Sequence, residues 1–216
     1  KFLSHIREVD AIIHLVRCFE SDEITHVNSK INPLDDLETI QTEIILSDID
    51  VIQKKLDKGK KKLLDEKEIS ILEEKLEKLN QGLEIEINDE KEYKFLSTLG
   101  LLSIKPKIIV CNVDEESLAK GNALTESVKK KYLSEKVVII CADIEDQIMG
   151  LDNNERETFM KEIGLDKTGL NQLIKEGYDL LNLDTFFTSG PEESRAWTIK
   201  KNTLAPKAAS VIHTDF

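Results

Sequence analysis

The sequence predicts an α/β fold, a parallel sheet interrupted by a helical hairpin, and three observations carry that prediction. Asp10–Cys18, Lys107–Asn112 and Lys136–Cys141 are apolar runs of strand length, rich in Ile and Val. Such runs fit strands buried on both faces of a parallel sheet. The second and third are joined by Glu115–Leu133, a polar stretch in which Ala119, Leu124 and Val128 are spaced as in a helix. Strand, helix and strand make a crossover unit, which is right-handed in parallel sheets. The first and second runs are separated by a long insertion that has its own periodicity.

The insertion reads as two helices. The first runs from about Leu34 to Lys58, with Leu37, Ile40, Ile44, Ile45, Ile49, Ile52 and Leu56 on one face. The second runs from about Asp65 to Asn80, where Ile69, Leu72, Leu76 and Leu79 follow the three-four spacing of a heptad seam. Lys58-Gly59-Lys60-Lys61-Lys62 joins them, with Gly59 as the stop. Two seams and a short joint make an antiparallel coiled-coil hairpin. Each helix is too short to be stable alone in water, so each needs the other.

After Cys141 the chain is helical and acidic through Glu162, is punctuated by Gly164 and Gly169, and gives a further amphipathic helix over Leu170–Leu181. Its character then changes. Thr185–Thr188 and Arg195–Ile199 read as two strands around a Gly190-Pro191 turn. Ala205–Ile212 reads as a helix with Pro206 in its first turn. These elements begin a second, small α+β domain.

Composition narrows the function. Hydrophobic residues make up 40% of the 216, enough for a packed core, and charged residues make up 33% against 5% aromatics, which suits long solvated helices. A net charge of −12 argues against a surface that grips phosphate backbones everywhere, DNA included, and leaves room for a local basic patch. Cys18, Cys111 and Cys141 are too far apart for a metal knuckle and each ends an apolar run, so they read as small buried hydrophobes in a reducing compartment. No apolar run approaches the ~18 residues of a membrane span. Lys1-Phe2-Leu3-Ser4 has no signal-peptide pattern, and both ends read as cuts inside a longer protein. His5, His14, His26 and His213 lack metal spacing, and His14, inside an apolar strand, reads as a satisfied core histidine. Trp197 reads as core of the small domain, with base stacking as the alternative.

In an open α/β sheet, ligands sit at the carboxyl ends of the strands. Arg17–Glu20, Asn112–Glu115 and Cys141–Asp143 hold those positions. Asn112-Val113-Asp114-Glu115 taken alone is either a strand-to-helix turn capped by Asn112 or a base-reading loop. It resembles the Asn-Lys-x-Asp motif of P-loop GTPases, whose Asp pairs with guanine donors, but carries Val113 second and Glu115 fourth. Asn-x-x-Glu is the pattern of the Obg-like ATPases of YchF type. Cys141-Ala142-Asp143-Ile144-Glu145 resembles that family's last nucleotide loop. Lys1–Asp10 resembles the stretch after its switch II glycines. Leu180–Thr188, Glu193–Thr198 and Ala205–Phe216 resemble the entry into its TGS domain. The resemblance covers essentially the whole chain.

The resemblance implies a partial P-loop NTPase sheet (residues 1–33 and 97–183), a coiled-coil insertion (34–96) and the start of a β-grasp TGS domain (184–216). It implies a cytoplasmic, ribosome-associated ATP hydrolase that prefers ATP to GTP and uses Mg²⁺. Asn112, Val113, Glu115, Cys141 and Ala142 would line the base, with Asn112 Oδ1 or the Val113 carbonyl accepting from the adenine amine. No GxxxxGK(S/T) occurs in the chain, so the phosphate cradle, the Mg²⁺ ligands and the catalytic groups are expected outside it, and the chain alone should hydrolyse nothing. Lys58, Lys60, Lys61 and Lys62 are either a solvated hairpin tip or a contact to ribosomal RNA. The alternative function is a non-catalytic RNA- or ribosome-binding module built on the hairpin and the TGS segment.

Overall fold

The computed structural model describes residues 5–21, 24, 30–59 and 64–213. They fall into two compact units, residues 1–142 and 143–216.

The first unit is built on a parallel sheet of β1 (Ile12–Arg17), β2 (Lys107–Asn112) and β3 (Lys136–Ile140), in that order. Leu15 pairs with Val110, and Val110 with Val138. Central β2 meets the expectation of burial on both faces: Ile108, Ile109, Val110 and Cys111 are all at most 1% exposed. β1 does not. Ile13 and Leu15 are 56% and 57% exposed while Val16 is buried. β1 pairs on one side only among the described residues, and an apolar run does not say which of its faces the rest of the chain covers. His14 departs from its reading too: it is half-buried and lines an apolar groove beside Ile40 and Ile44. Burial first, and then the Lys107 ammonium, lower its pKa and favour the neutral ring.

The insertion contains α1 (Pro33–Gly59), α2 (Glu66–Asn80) and a third helix, α3 (Glu90–Thr98). Asp65 and Glu68 close a capping box at the start of α2. Ile52 and Leu56 of α1 share one buried cluster with Leu72 and Leu79 of α2, with Ile45, Ile49 and Leu76 packed against it. The expected seam is therefore present, but it is not a bare hairpin. Leu96 of α3 and Leu101 complete the same cluster. α3 is nine residues long and offers little periodicity; its one clear signal is Asp89, whose side chain accepts from the Glu92 N–H as N-cap. The third helix is held by an ion pair of 2.7 Å between Lys75 and Glu92, whose side chains are 0% and 6% exposed. Ile40, expected on the inner face of α1, is 43% exposed.

The expected helix over Glu115–Leu133 is broken into α4 (Glu115–Leu118) and α5 (Ala123–Lys131). Gly121, at φ +72°, turns the chain, and Asn122 caps α5 by accepting from the Leu124 and Thr125 N–H groups. A Cβ on Gly121 would stand 2.6 Å from Thr125 Oγ1.

α6 (Ala142–Met149) leads into the second unit, which continues with α7 (Asn153–Glu162) and α8 (Gly169–Leu180). Glu145 accepts from the Gly169 N–H at 2.6 Å and so ties α6 to the start of α8. β4 (Leu183–Ser189) and β5 (Ser194–Lys200) form an antiparallel pair with Phe186 opposite Trp197. Trp197 is half-buried, donates to Thr188 Oγ1 at 2.9 Å and lies under the Arg195 guanidinium, 4.2 Å from the ring centroid. α9 (Ala205–Ala209) ends sooner than the expected Ile212.

Candidate functional site

The carboxyl ends of the three parallel strands are stitched together by hydrogen bonds. The Cys18 N–H, just past β1, donates to the Asn112 carbonyl at 2.7 Å. The Val113 N–H, just past β2, donates to the Ile140 carbonyl at 2.8 Å. Asn122 Nδ2 donates to the Cys18 carbonyl at 2.7 Å, so the N-terminus of α5 also holds the end of β1.

Asn112 is the residue on which these loops converge. Its Oδ1 accepts from the Ala142 N–H at 2.9 Å. That bond fixes the amide's orientation, because a backbone N–H can face only the oxygen. Oδ1 keeps a second lone pair, and Nδ2 and the Val113 carbonyl are the other polar groups of this turn. The Val113 side chain is 2% exposed and anchors the turn. Asn112 is not the helix cap. Asp114 is, accepting from the Ser117 N–H at 2.9 Å. Glu115 opens α4 with an exposed side chain, where a carboxylate suits the positive end of the helix. Cys141 is buried and Ala142 exposed at the far side of the Asn112 bond.

The end of β1 adds two residues that the motif reading had only as part of a segment. Arg17 lies over the Phe19 ring, 4.7 Å from its centroid. Its Nε donates to the Phe19 carbonyl at 3.0 Å and its Nη1 to the Ile24 carbonyl at 2.8 Å. The guanidinium thus shapes the loop that leaves the sheet and presents an aromatic ring at its edge. The signal available in the sequence was a cation and an aromatic two residues apart at a strand end. The Cys18 thiol is held well above its usual pKa by a hydrogen bond with Cys111 and by burial, so it stays protonated and unreactive.

The described residues hold no group of three or more His, Cys, Asp or Glu that could bind a metal ion. No helix among them is long and apolar enough to cross a membrane. Lys58 is exposed in the last turn of α1, and Lys60, Lys61 and Lys62 lie outside the described residues.

Comparison with known proteins gives concordant results. Residues 183–216 match the family model YchF-GTPase_C, described as a protein of unknown function (DUF933). The whole chain aligns with proteins named ribosome-binding ATPase YchF: it is 41% identical over 228 residues to the one from Bacillus subtilis and 41% identical over 225 residues to the one from Haemophilus influenzae. The structure of the Schizosaccharomyces pombe YchF GTPase superposes on 99% of the chain with a TM-score of 0.87 at 31% identity. Over its whole length the chain is similar to proteins of the YchF family. It spans 62% of the length of these two YchF relatives and 61% of the solved YchF chain. Sheet, helical insertion and β4–β5 pair all lie within the part superposed on the YchF structure, so the architecture described above is the YchF fold.

Proposed function

We propose that this chain supplies the base-reading loops and the partner-reaching insertion of a ribosome-associated protein that binds and hydrolyses ATP in preference to GTP. The observation that carries the proposal is the 2.9 Å bond from the Ala142 N–H to Asn112 Oδ1. It clasps two strand-end loops into one rigid edge, with Nδ2 as donor and the Val113 carbonyl as acceptor. A purine ring nitrogen suits the donor, and the exocyclic amine of adenine suits the acceptor. Guanine carries an oxygen in place of that amine, which would set acceptor against acceptor. Guanine's own ring N–H and amine need a carboxylate at fixed reach, and the fourth position here holds the longer, exposed Glu115. Sites built on such hydrogen bonds discriminate strongly, because the wrong ligand leaves polar groups unpaired. Cys141 and Ala142 contribute backbone from the other side of the ring.

The relatives named ribosome-binding ATPases support both halves of the reading. The solved relative is titled a GTPase, which makes nucleotide choice the point to test. Residues 1–33 and 97–183 are assigned to the nucleotide domain, 34–96 to the insertion and 184–216 to the start of the TGS domain. Lys58 and Lys60–Lys62 are assigned to contact ribosomal RNA, and the three free cysteines accord with a cytoplasmic setting. Mg²⁺ would supply charge neutralisation at the phosphates. No GxxxxGK(S/T) occurs in the sequence, so the Mg²⁺ ligands and the phosphate-binding groups are assigned outside these 216 residues.

Calorimetric titration of the full-length protein with Mg·ATP and Mg·GTP tests the proposal. ATP should bind at least about tenfold tighter, the scale on which an unpaired polar group discriminates. Equal affinity, or a preference for GTP, rules the adenine reading out.

A further inference from the structure

The middle of α1 carries a buried charge that the base-reading site does not use. Asp48 is fully buried. Its Oδ1 accepts from the Leu102 N–H at 3.0 Å, and its Oδ2 from the Ser103 N–H and hydroxyl at 2.8 and 2.7 Å. Arg7 supplies the opposite charge. Its Nη1 donates to Asp48 Oδ1 at 3.3 Å and to the Gly100 carbonyl at 2.6 Å, and its Nη2 to the Ser47 hydroxyl at 2.5 Å. Three segments therefore meet at one ion pair: the entry to β1, the middle of α1 and the loop that leads into β2. On the N-terminal side of this joint, α1 is bonded to α5 through Glu38 and Lys131 and lines the β1 groove through Ile40 and Ile44. On the C-terminal side, Ile52 and Leu56 pack into the core of the helical insertion. The joint sits where α1 passes from the sheet to the insertion.

We propose that the Arg7–Asp48 pair makes sheet and insertion a single lever, so that a ribosome gripping the insertion and a nucleotide at the strand ends alter each other's affinity. The proposal rests on the ATP- and ribosome-binding reading above. A helix merely leaning on the sheet could swivel or slide when pulled. Here, moving α1 relative to β1 would strip a buried carboxylate of its cation and its hydrogen bonds, and a buried charge left without its partner is strongly unfavourable. The lever therefore moves as a whole or not at all. Coupling of this kind is reciprocal: whatever factor ribosome binding imposes on ATP affinity, ATP imposes on ribosome affinity.

The test uses the full-length protein and measures the ATP dissociation constant with and without saturating ribosomes from the same organism. The wild type should show a change of about fivefold or more, the lower range of ordinary allosteric coupling. Arg7→Lys and Asp48→Asn should reduce that change to less than about twofold while ATP alone and ribosome alone still bind as in the wild type. Lys54→Gln, which breaks only the exposed Lys54–Asp50 pair on the same helix, should keep the full coupling. A merely structural role would lower the melting temperature and leave the coupling factor alone. If either joint variant fails to fold, Ser103→Ala, which removes one hydrogen bond to Asp48, decides through a partial loss of coupling. Folded joint variants with wild-type coupling overturn the proposal. So does a wild type that binds both ligands without coupling, which leaves the functional reading intact. A wild type that binds neither ligand overturns both.

Discussion

At the scale of the residue, the proposal gives Asn112 two tasks on different atoms. Oδ1 holds the Ala142 N–H, and Nδ2 is the donor proposed to face the base. Substitution can separate them. In the full-length protein, Asn112→Asp keeps an acceptor for Ala142 and loses the donor, so thermal melting should stay near wild type. ATP binding should weaken by about 1–3 kcal/mol, the cost of one lost polar contact in a desolvated site. Asn112→Ala loses both and should lower ATP affinity and melting temperature together. Calorimetry beside a thermal melt checks the pair; wild-type ATP affinity in Asn112→Asp would show that Nδ2 is not read. The motif was legible in the sequence, because Asn after an apolar strand is a local pattern. Which of its atoms holds the next loop was not, because that depends on a backbone N–H thirty residues further along the chain, brought near only by the β2–β3 pairing.

At the scale of the element, the insertion is stabilised by a seam the sequence announced and an ion pair it did not. Leu72 is fully buried and Leu76 only partly so. Leu72→Ala should cost about 2–5 kcal/mol and Leu76→Ala distinctly less, as the cavity left scales with burial. Urea denaturation followed by circular dichroism measures both. The Lys75–Glu92 pair adds a pH dependence. Burial acts to lower the Lys75 pKa, but hydrogen bonds to Glu92 and Glu74 outweigh it and leave the ammonium raised. Burial acts to raise Glu92, but hydrogen bonds from Lys75 and Asn88 outweigh it and leave the carboxyl lowered. A lowered carboxylate contributes fully above its ordinary pKa of about 4.3 and loses that contribution as pH falls through the folded value. The raised lysine contributes fully below its ordinary value of about 10.4 and loses its share only as pH rises beyond it. The pair is thus constant through neutral pH and fails in acid. Lys75→Met alone should cost about 3–5 kcal/mol, since it strands a buried carboxylate. The Lys75→Met, Glu92→Leu double variant should recover most of that and lose stability less steeply below pH ~4 than the wild type. An acid slope equal to wild type in the double variant would assign the acid sensitivity elsewhere.

At the scale of the whole molecule, two expectations concern how the chain meets others. β1 pairs on one side only among the described residues and exposes Ile13 and Leu15 beside that edge. Unpaired edges with apolar flanks invite pairing with another chain. The isolated 216-residue chain should therefore self-associate as its concentration rises, and Ile13→Lys should suppress this in sedimentation or size-exclusion runs. Unchanged self-association would move the sticky surface away from β1. The second is the ribosomal RNA contact proposed for Lys58 and Lys60–Lys62. With a chain charge of −12, binding of the full-length protein to ribosomes through Lys58 and Lys60–Lys62 should stand out against a repelling background. Each phosphate contact adds about 0.7–0.9 to the slope of log affinity against log salt. Replacing all four with Gln should flatten that slope and weaken association. An unchanged slope would leave the joint as a solvated turn.

The sequence by itself determined the class of fold, the parallel strands, the two long helices with their seam, and the Asn112–Glu115 turn at its strand end. All of these are written in short-range patterns: runs of Ile and Val, a heptad, a cap, a glycine stop. The tertiary structure alone decided which apolar residues are covered. Ile13, Leu15 and Ile40 read like their buried neighbours Val16 and Ile44, and they differ only in what the rest of the chain lays over them. It also decided the third helix, whose nine residues carry too little periodicity to be seen and are held by Lys75 of α2 and by a cluster fed from α1. The Arg7–Asp48–Ser103 joint was invisible for the same reason. Its members are 41 and 55 residues apart, and a buried ion pair exists only once the chain has removed its charges from water together, a condition that no local pattern encodes.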